Sequence, residues 1–99
     1  MLYHLNAKPK PGITHAEVKA AVELFEHWTP PAGVEIKSFN MAIGGRQFIL
    51  VETESLQALG ELVVPWSSVY LDYEAIPVAP IKDAVENIKK GIAAREKLL

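Results

Sequence analysis

The chain contains no cysteine, and this absence excludes several kinds of chemistry at once. Without thiols it forms no disulfide, holds no metal through thiolates and has no cysteine nucleophile. No apolar run reaches the length of a membrane span. The first residues lack the basic region and the long apolar core of a signal peptide. We therefore expect a cytoplasmic protein that does not bind membranes.

The chain also lacks an excess of basic residues. Ten basic and twelve acidic residues give a net charge of −2, and the basic ones are scattered. Proteins that bind nucleic acid concentrate Lys and Arg in a stripe that neutralises phosphates. Nucleic acid is therefore not an expected partner. What the chain does have is a large apolar share, 49% of its residues, which is enough for a folded core.

Short alternating segments predict four strands. They are bounded by Gly- and Pro-rich turns, and they cover Leu2–Lys8, Val34–Ala42, Gln47–Thr53 and Tyr70–Val78. Gly44 and Gly45 supply the positive φ values of a tight hairpin between the second and third strands. The run Phe48–Val51 has no polar residue, as expected of a strand covered on both faces. Pro77 suits an edge strand.

Three helices are predicted from capping patterns and from apolar residues at helical spacing. The first begins after Thr14, has Glu17 three residues on, and buries a stripe of Val18, Ala21, Val22, Phe25 and Trp28. The second is capped by Ser55 and ended by Pro65. In the last helix, Asp83 with Glu86 repeats the capping pattern, and Val85, Ile88 and Ile92 form its apolar stripe.

The order β-α-β-β-α-β-α predicts an α+β fold of the ferredoxin-like type. In this βαββαβ arrangement, a four-stranded antiparallel sheet has its first and third strands in the centre. At 99 residues the chain fits one domain, with residues 1–80 forming the ferredoxin-like part and residues 81–99 its extra C-terminal helix.

Both crossover helices should lie on one face of that sheet, which leaves the other face bare. Strand alternation assigns Tyr3, Leu5, Ile49, Val51, Leu71 and Tyr73 to the helix side. It assigns a mixed set to the bare face: His4, Asn6, Phe48, Leu50, Glu52, Asp72, Glu74 and Ile76. Such a face suits contact with a second copy around a semi-polar cavity, so we expect a homodimer. The competing arrangement covers the bare face with the C-terminal helix.

The candidate site residues come mainly from the bare face. His4 and Asn6 share a face of the first strand, and Glu52 and Glu74 can join them from neighbouring strands. An imidazole beside a carboxylate is a plausible acid–base pair, which makes His4 and Glu52 the catalytic candidates. The alternative is that these residues are solvated and have no catalytic task. No two histidines have ligand spacing, so no metal is expected.

Two aromatic residues complete the ligand-binding candidates. Trp66 follows Pro65 and can line the mouth of a pocket, although a large aromatic residue at a helix end is more often a core anchor. Tyr73 can orient a phenolic substrate through its hydroxyl group, although tyrosine is also an ordinary strand residue.

Three stretches carry a resemblance to a known family: Trp28–Phe39, Phe48–Glu52 and Pro65–Glu74. They resemble a family of small bacterial proteins of unknown function in the dimeric α/β-barrel superfamily. The resemblance implies a barrel formed by two copies of the chain. That superfamily includes cofactor-free monooxygenases, isomerases, haem-degrading enzymes and ligand sensors. Asn6 and Trp66 match the haem-degrading members, but no histidine after His27 is present to serve as their axial ligand.

The leading hypothesis is a dimeric domain that binds a modest, partly apolar small molecule without a cofactor. The cavity would lie between two sheet faces or between the sheet and its helices. One alternative is a cofactor-independent monooxygenase or isomerase in the same cavity. Another is a non-catalytic module that only assembles subunits. Fold alone does not choose among these functions.

Overall fold

The computed structural model describes all residues from 1 to 99. Its elements follow the predicted order: β1 (Leu2–Pro9), α1 (His15–Glu26), β2 (Glu35–Met41), β3 (Gln47–Glu52), α2 (Leu56–Ser67), β4 (Leu71–Val78) and α3 (Ile81–Leu98). The four strands form one antiparallel sheet in the order β2-β3-β1-β4, so the predicted ferredoxin-like βαββαβ arrangement is confirmed.

The register of the sheet separates its two faces as the alternation predicted. Leu5 lies opposite Ile49 on β3 and opposite Ala75 on β4. Leu5, Ile49 and Val51 are buried, and they pack with Leu59 and Leu62 of α2 to form the main core cluster. This helix side of the sheet therefore holds the core.

The other side of the sheet is left open, and we call it the open face. It carries partly exposed Phe48 and Leu50 from β3 and exposed Ile76 from β4. The prediction that β3 is covered on both faces is therefore wrong for the single chain. The apolar run reflects burial on one face and partial exposure on the other.

Most of the predicted caps and turns are present. Thr14 and Glu17 form a reciprocal capping box at the start of α1. The Ser55 hydroxyl accepts a hydrogen bond from the Ala58 amide at 3.1 Å. Gly44 and Gly45 have φ values of 99° and 94°, which the β2–β3 hairpin needs.

Two helix boundaries differ from the prediction. Pro65 lies inside α2, which continues to Ser67; having no amide hydrogen, it donates no hydrogen bond to the carbonyl of Glu61 four residues earlier. Asp83 is not the cap of α3, because the helix begins after Pro80, which makes no side-chain capping bond. Asp83 lies instead in the first turn, where its charge complements the helix dipole.

The last helix projects from the domain. Every residue of α3 except Ala84 is exposed, so α3 does not cover the open face. The radius of gyration is 17.3 Å, compared with about 13 Å for a compact domain of this length. The competing arrangement, in which the C-terminal helix covers the open face of its own sheet, is therefore wrong. None of the helices has the length and apolar character needed to cross a bilayer.

Candidate functional site

A cavity of about 290 Å³ lies on the helix side of the sheet, between α1, α2 and the strands. Of its 17 lining residues, 14 are hydrophobic and none carries a charge. The lining comprises Pro9, Ile13, Val18, Ala21, Val22, Phe25, Trp28, Phe39, Met41, Gly45, Gln47, Ile49, Leu62, Trp66, Tyr70, Leu71 and Tyr73. This cavity is the strongest candidate for a ligand site.

The apolar stripe of α1 forms one wall. Val18, Val22 and Phe25 face the cavity, yet each keeps about half of its surface exposed, and no residue of α1 is buried. The prediction that this stripe is a buried helical face is therefore wrong. The stripe has the expected spacing, but it borders a space instead of packing closely on the sheet.

Aromatic rings gather at the C-terminal end of α1. The Phe25 ring centroid lies 6.0 Å from those of Trp28 and Trp66 and 5.9 Å from that of Phe39. Trp28 and Trp66 meet edge to face at 5.7 Å, a favoured geometry for aromatic pairs. These rings form an aromatic end of the cavity.

Few polar side chains reach the cavity, and Tyr73 is the most informative of them. Burial raises the pKa of Tyr73 from 10.0 to about 12. No charged or hydrogen-bonding neighbour contributes to this shift. The Tyr73 hydroxyl is therefore a protonated donor at neutral pH, without a strong partner inside the chain. Gln47 and Tyr70 supply the other polar groups of the lining.

A second, smaller depression of about 130 Å³ is polar and is lined by Asn6, Lys8, Arg46, Asp72, Tyr73 and Glu74. Asp72 accepts a hydrogen bond from Lys10 at 3.1 Å, so part of its charge is compensated. This depression lies at the end of the open face near the β2–β3 turn. Nowhere in the structure do three His, Asp or Glu side chains converge as metal ligands would.

The structure divides the predicted site residues between the two sides of the sheet. Trp66 and Tyr73 line the apolar cavity, whereas Asn6 and Glu74 pair across β1 and β4 in the polar depression. The six candidate residues therefore do not line one common cavity.

The two catalytic candidates lie elsewhere on the open face. His4 is opposite Leu50 and Ile76, with its ring 6.2 Å from Phe48. Glu52 accepts a hydrogen bond from the Met1 amino group at 3.1 Å. Neither His4 nor Glu52 lines either cavity. The structure therefore shows no contact that would make them an acid–base pair.

Sequence reasoning missed most of the cavity lining, including Val22, Phe25, Phe39 and Gln47. One signal was available, because Phe25, Trp28 and Trp66 all fall near the ends of the two predicted crossover helices. Helices on the same face of the sheet bring such ends together. An aromatic cluster between helices and sheet could have been predicted from this.

Comparisons with known proteins give one result. A search of the curated proteins and one of the solved structures found no significant match. A family model, described as a domain of unknown function, matches residues 1–92. The match covers the whole βαββαβ unit and most of α3. The chain therefore belongs to the DUF3303 family, whose function is uncharacterised.

Proposed function

We propose that this chain is a homodimeric domain that binds an uncharged, largely aromatic small molecule in the cavity between α1, α2 and the sheet. One observation carries the proposal: 14 of the 17 lining residues are hydrophobic and none is charged. Ligand pockets are mostly apolar, with a few polar groups that orient the ligand. Tyr73, Tyr70 and Gln47 supply those groups here.

The size of the cavity limits the ligand. An apolar cavity of about 150 Å³ is enough to bind benzene, and this one has about 290 Å³. A molecule of one or two rings with a short substituent fits that volume. The aromatic end formed by Phe25, Trp28 and Trp66 favours a planar ring, which can stack or meet these rings edge to face.

The lack of charge selects against anionic ligands. A carboxylate or phosphate moved from water into this lining would lose its hydration without gaining a cationic partner, which is costly. The protonated Tyr73 hydroxyl can donate a hydrogen bond to a neutral carbonyl or hydroxyl oxygen. The preferred ligand is therefore a phenol, an indole or a similar neutral compound.

The cavity favours binding over catalysis. A cofactor-independent monooxygenase or isomerase needs an acid–base group beside its substrate. The only titratable side chains in this lining are Tyr70 and Tyr73, and the pKa of Tyr73, at about 12, is too high for a base at neutral pH. His4 and Glu52 lie outside the cavity. We therefore place the enzyme hypothesis second.

Thermal unfolding with matched ligands tests the proposal. 2-Naphthol and 2-naphthoate have the same ring system but differ in charge at neutral pH. A ligand that binds only the folded state raises the apparent Tm. We expect 2-naphthol to raise Tm with increasing concentration and to change the tryptophan fluorescence, because Trp28 and Trp66 both line the cavity. We expect 2-naphthoate to do neither.

Two neighbouring alanines of α1 give a matched pair of variants. Ala21 lines the cavity, whereas the exposed Ala20 does not. Ala21→Trp should fill the cavity and abolish the shift with 2-naphthol, and Ala20→Trp should preserve it. Equal shifts in the two variants, or a larger shift with 2-naphthoate, would refute binding in this cavity.

The homodimer rests on a separate surface, the open face. Phe48, Leu50 and Ile76 form its apolar centre, with Lys8 and Glu74 as charges of opposite sign on adjacent strands. An isologous interface joins the same patch of two copies, so a surface that carries both signs can complement itself. This pairing would form the two-chain barrel that the resemblance implies.

Sedimentation velocity tests the pairing. Leu50→Lys places a charge in the centre of the open face and should lower the sedimentation coefficient, because it removes the contact between the two open faces. Gln57→Lys, at an exposed position of α2, adds the same charge elsewhere and should leave the dimer intact. A wild-type protein that stays monomeric at micromolar concentration would rule out the homodimer.

A further inference from the structure

The helix α3 presents an apolar stripe that its own domain leaves uncovered. Ile81, Val85, Ile88 and Ile92 are 79%, 40%, 60% and 54% exposed, respectively. The opposite side of the helix carries Lys, Glu and Asp residues. An amphipathic helix of 18 residues with an exposed apolar side normally packs against a partner.

The spacing of the stripe defines the kind of partner. Its residues are four, three and four positions apart, which places Ile81 and Ile88 at d positions and Val85 and Ile92 at a positions of a heptad repeat. Alternating spacings of this kind form the seam of a helix pair, in which side chains of one helix fit between those of the other. A second helix with the same spacing would fit this seam.

We propose that α3 pairs in antiparallel orientation with α3 of a second copy of this chain. The two-fold axis crosses the interface at the level of Lys90 along the helix. Such an axis places Ile88 of each copy beside Ile92 of the other, so these isoleucines form the centre of the interface. Val85 then lies beside the aliphatic stem of the second copy's Arg95, whose charged end can reach water.

Charge complementarity selects the antiparallel orientation. Lys82 and Glu96 occupy the same flank of the seam, at equivalent e positions of different heptads. In an antiparallel pair this flank faces itself, so each Lys82 meets the other copy's Glu96. In a parallel pair each e residue faces a g residue instead, and the g residues Ala84 and Gly91 carry no charge.

The opposite flank allows the helices to approach closely. It carries Ala84 and Gly91, and Gly91 lies next to the proposed axis, where it would meet its own copy. Glycine inside a helix costs about 1 kcal/mol relative to alanine. A Cβ added at Gly91 would contact nothing within the chain, so packing in the single domain does not require this glycine.

One pair of like charges opposes the arrangement, because Lys89 lies near its own copy across the axis. Within each helix, however, the Lys89 ammonium lies 3.5 Å from the Glu86 carboxylate. This local ion pair compensates the lysine charge. The two Lys82–Glu96 contacts across the interface therefore determine the preferred orientation.

Single cysteines test the orientation directly, because the native chain has none. Disulfides form only where two Cα atoms lie within about 7 Å. Under mild oxidation, Gly91→Cys should give a covalent dimer on a non-reducing gel. Lys90→Cys, on the outer side of the helix, should give only background cross-linking, as should Ile81→Cys, which lies far from its own copy in the antiparallel pair.

The outcomes separate the possible arrangements. Strong cross-linking of Ile81→Cys without Gly91→Cys would mean a parallel pair and would overturn the proposal. A yield for Gly91→Cys no higher than for Lys90→Cys would mean that α3 does not pair with itself, which would also overturn it.

A second substitution tests the seam in the Gly91→Cys background. Ile88→Glu should eliminate the cross-linked dimer, whereas Ala94→Glu, on the outer side of the same helix, should preserve it. Circular dichroism verifies that both variants remain folded. Leu50→Lys, on the open face, should leave this cross-link unchanged, so failure of the open-face dimer and failure of the α3 pair are distinguishable.

Discussion

We expect the Tyr73 hydroxyl to make the stability of the fold sensitive to alkaline pH. In the unfolded chain its pKa is 10.0, and burial raises the pKa to about 12 in the fold. Below both pKa values Tyr73 carries its proton in the folded and in the unfolded state, so it adds no pH dependence to the free energy of unfolding. Between them the unfolded state loses its proton first. The free energy of unfolding therefore falls as the pH rises through this window.

The size of the effect follows from the shift. One unit of pKa difference corresponds to about 1.4 kcal/mol, so two units set an upper limit of about 2.7 kcal/mol. Water reaches part of the Tyr73 ring, which weakens the penalty on its charged form. We therefore expect a loss of about 1 kcal/mol by the top of the window. Tyr73→Phe has no ionisable group and should lack this loss.

Urea unfolding of the native protein and of Tyr73→Phe measures the difference. At pH about 8 Tyr73 carries its proton in both the folded and the unfolded state, so the difference in unfolding free energy between the two proteins at that pH is the baseline. At pH about 11.5 Tyr73→Phe should gain about 1 kcal/mol relative to the native protein. Lysines and the other tyrosines titrate in both proteins and cancel in the comparison. A difference that does not change with pH would refute the burial of Tyr73 in a water-poor cavity.

Three further predictions concern stability. Thr53 is buried, and its hydroxyl donates to the Gly33 carbonyl at 2.8 Å and accepts from the Ser55 amide at 3.1 Å. In urea unfolding, Thr53→Val should lower the free energy of unfolding by about 2–4 kcal/mol, and Thr53→Ser should lower it clearly less. Equal losses in the two variants would contradict a role of the hydroxyl. Leu5→Ala empties the fully buried centre of the core and should lower unfolding free energy by about 3–5 kcal/mol; a loss below about 1 kcal/mol would contradict that packing. Thr14→Ala removes the capping box of α1 and should cost about 1 kcal/mol by thermal unfolding, whereas Thr14→Ser should be nearly neutral.

The strand faces could be predicted from the sequence because alternation is a local property. Leu5, Ile49 and Val51 are buried on the side that their parity indicated. The hairpin was equally predictable, since Gly44 and Gly45 supply a backbone conformation that other residues avoid. In both cases the local sequence, a few residues long, determines the local structure.

The cavity could not be predicted in the same way, because it depends on how far α1 stands from the sheet. The spacing of Val18, Val22 and Phe25 fixes which side of the helix faces inward. It does not fix the distance between α1 and the sheet, which depends on packing against residues far away in the sequence. A stripe beside a cavity and a stripe in a closed core have the same periodicity.

The predicted site was limited for a related reason. His4, Asn6, Glu52 and Glu74 were grouped because strand alternation places them on one face of the sheet, whereas the apolar cavity lies on the other face. A polar residue on a strand marks the side that faces water or a partner. An apolar residue marks the core, a cavity or, as Phe48 and Leu50 do on the open face, a partly exposed surface.

The distribution of charge assigns the two proposals, ligand binding and self-association, to different surfaces of the domain. The helix side borders a half-open cavity whose lining has no charged side chain, so it suits a neutral ligand that leaves water. The open face and α3 combine exposed apolar residues with charges of both signs, which is the composition of a surface that recognises a copy of itself. Because no residue of α3 lines the cavity, self-association through α3 need not block the ligand. Ligand binding should therefore persist in Ile88→Glu, and a lost response to 2-naphthol in that folded variant would show that the two tasks are coupled.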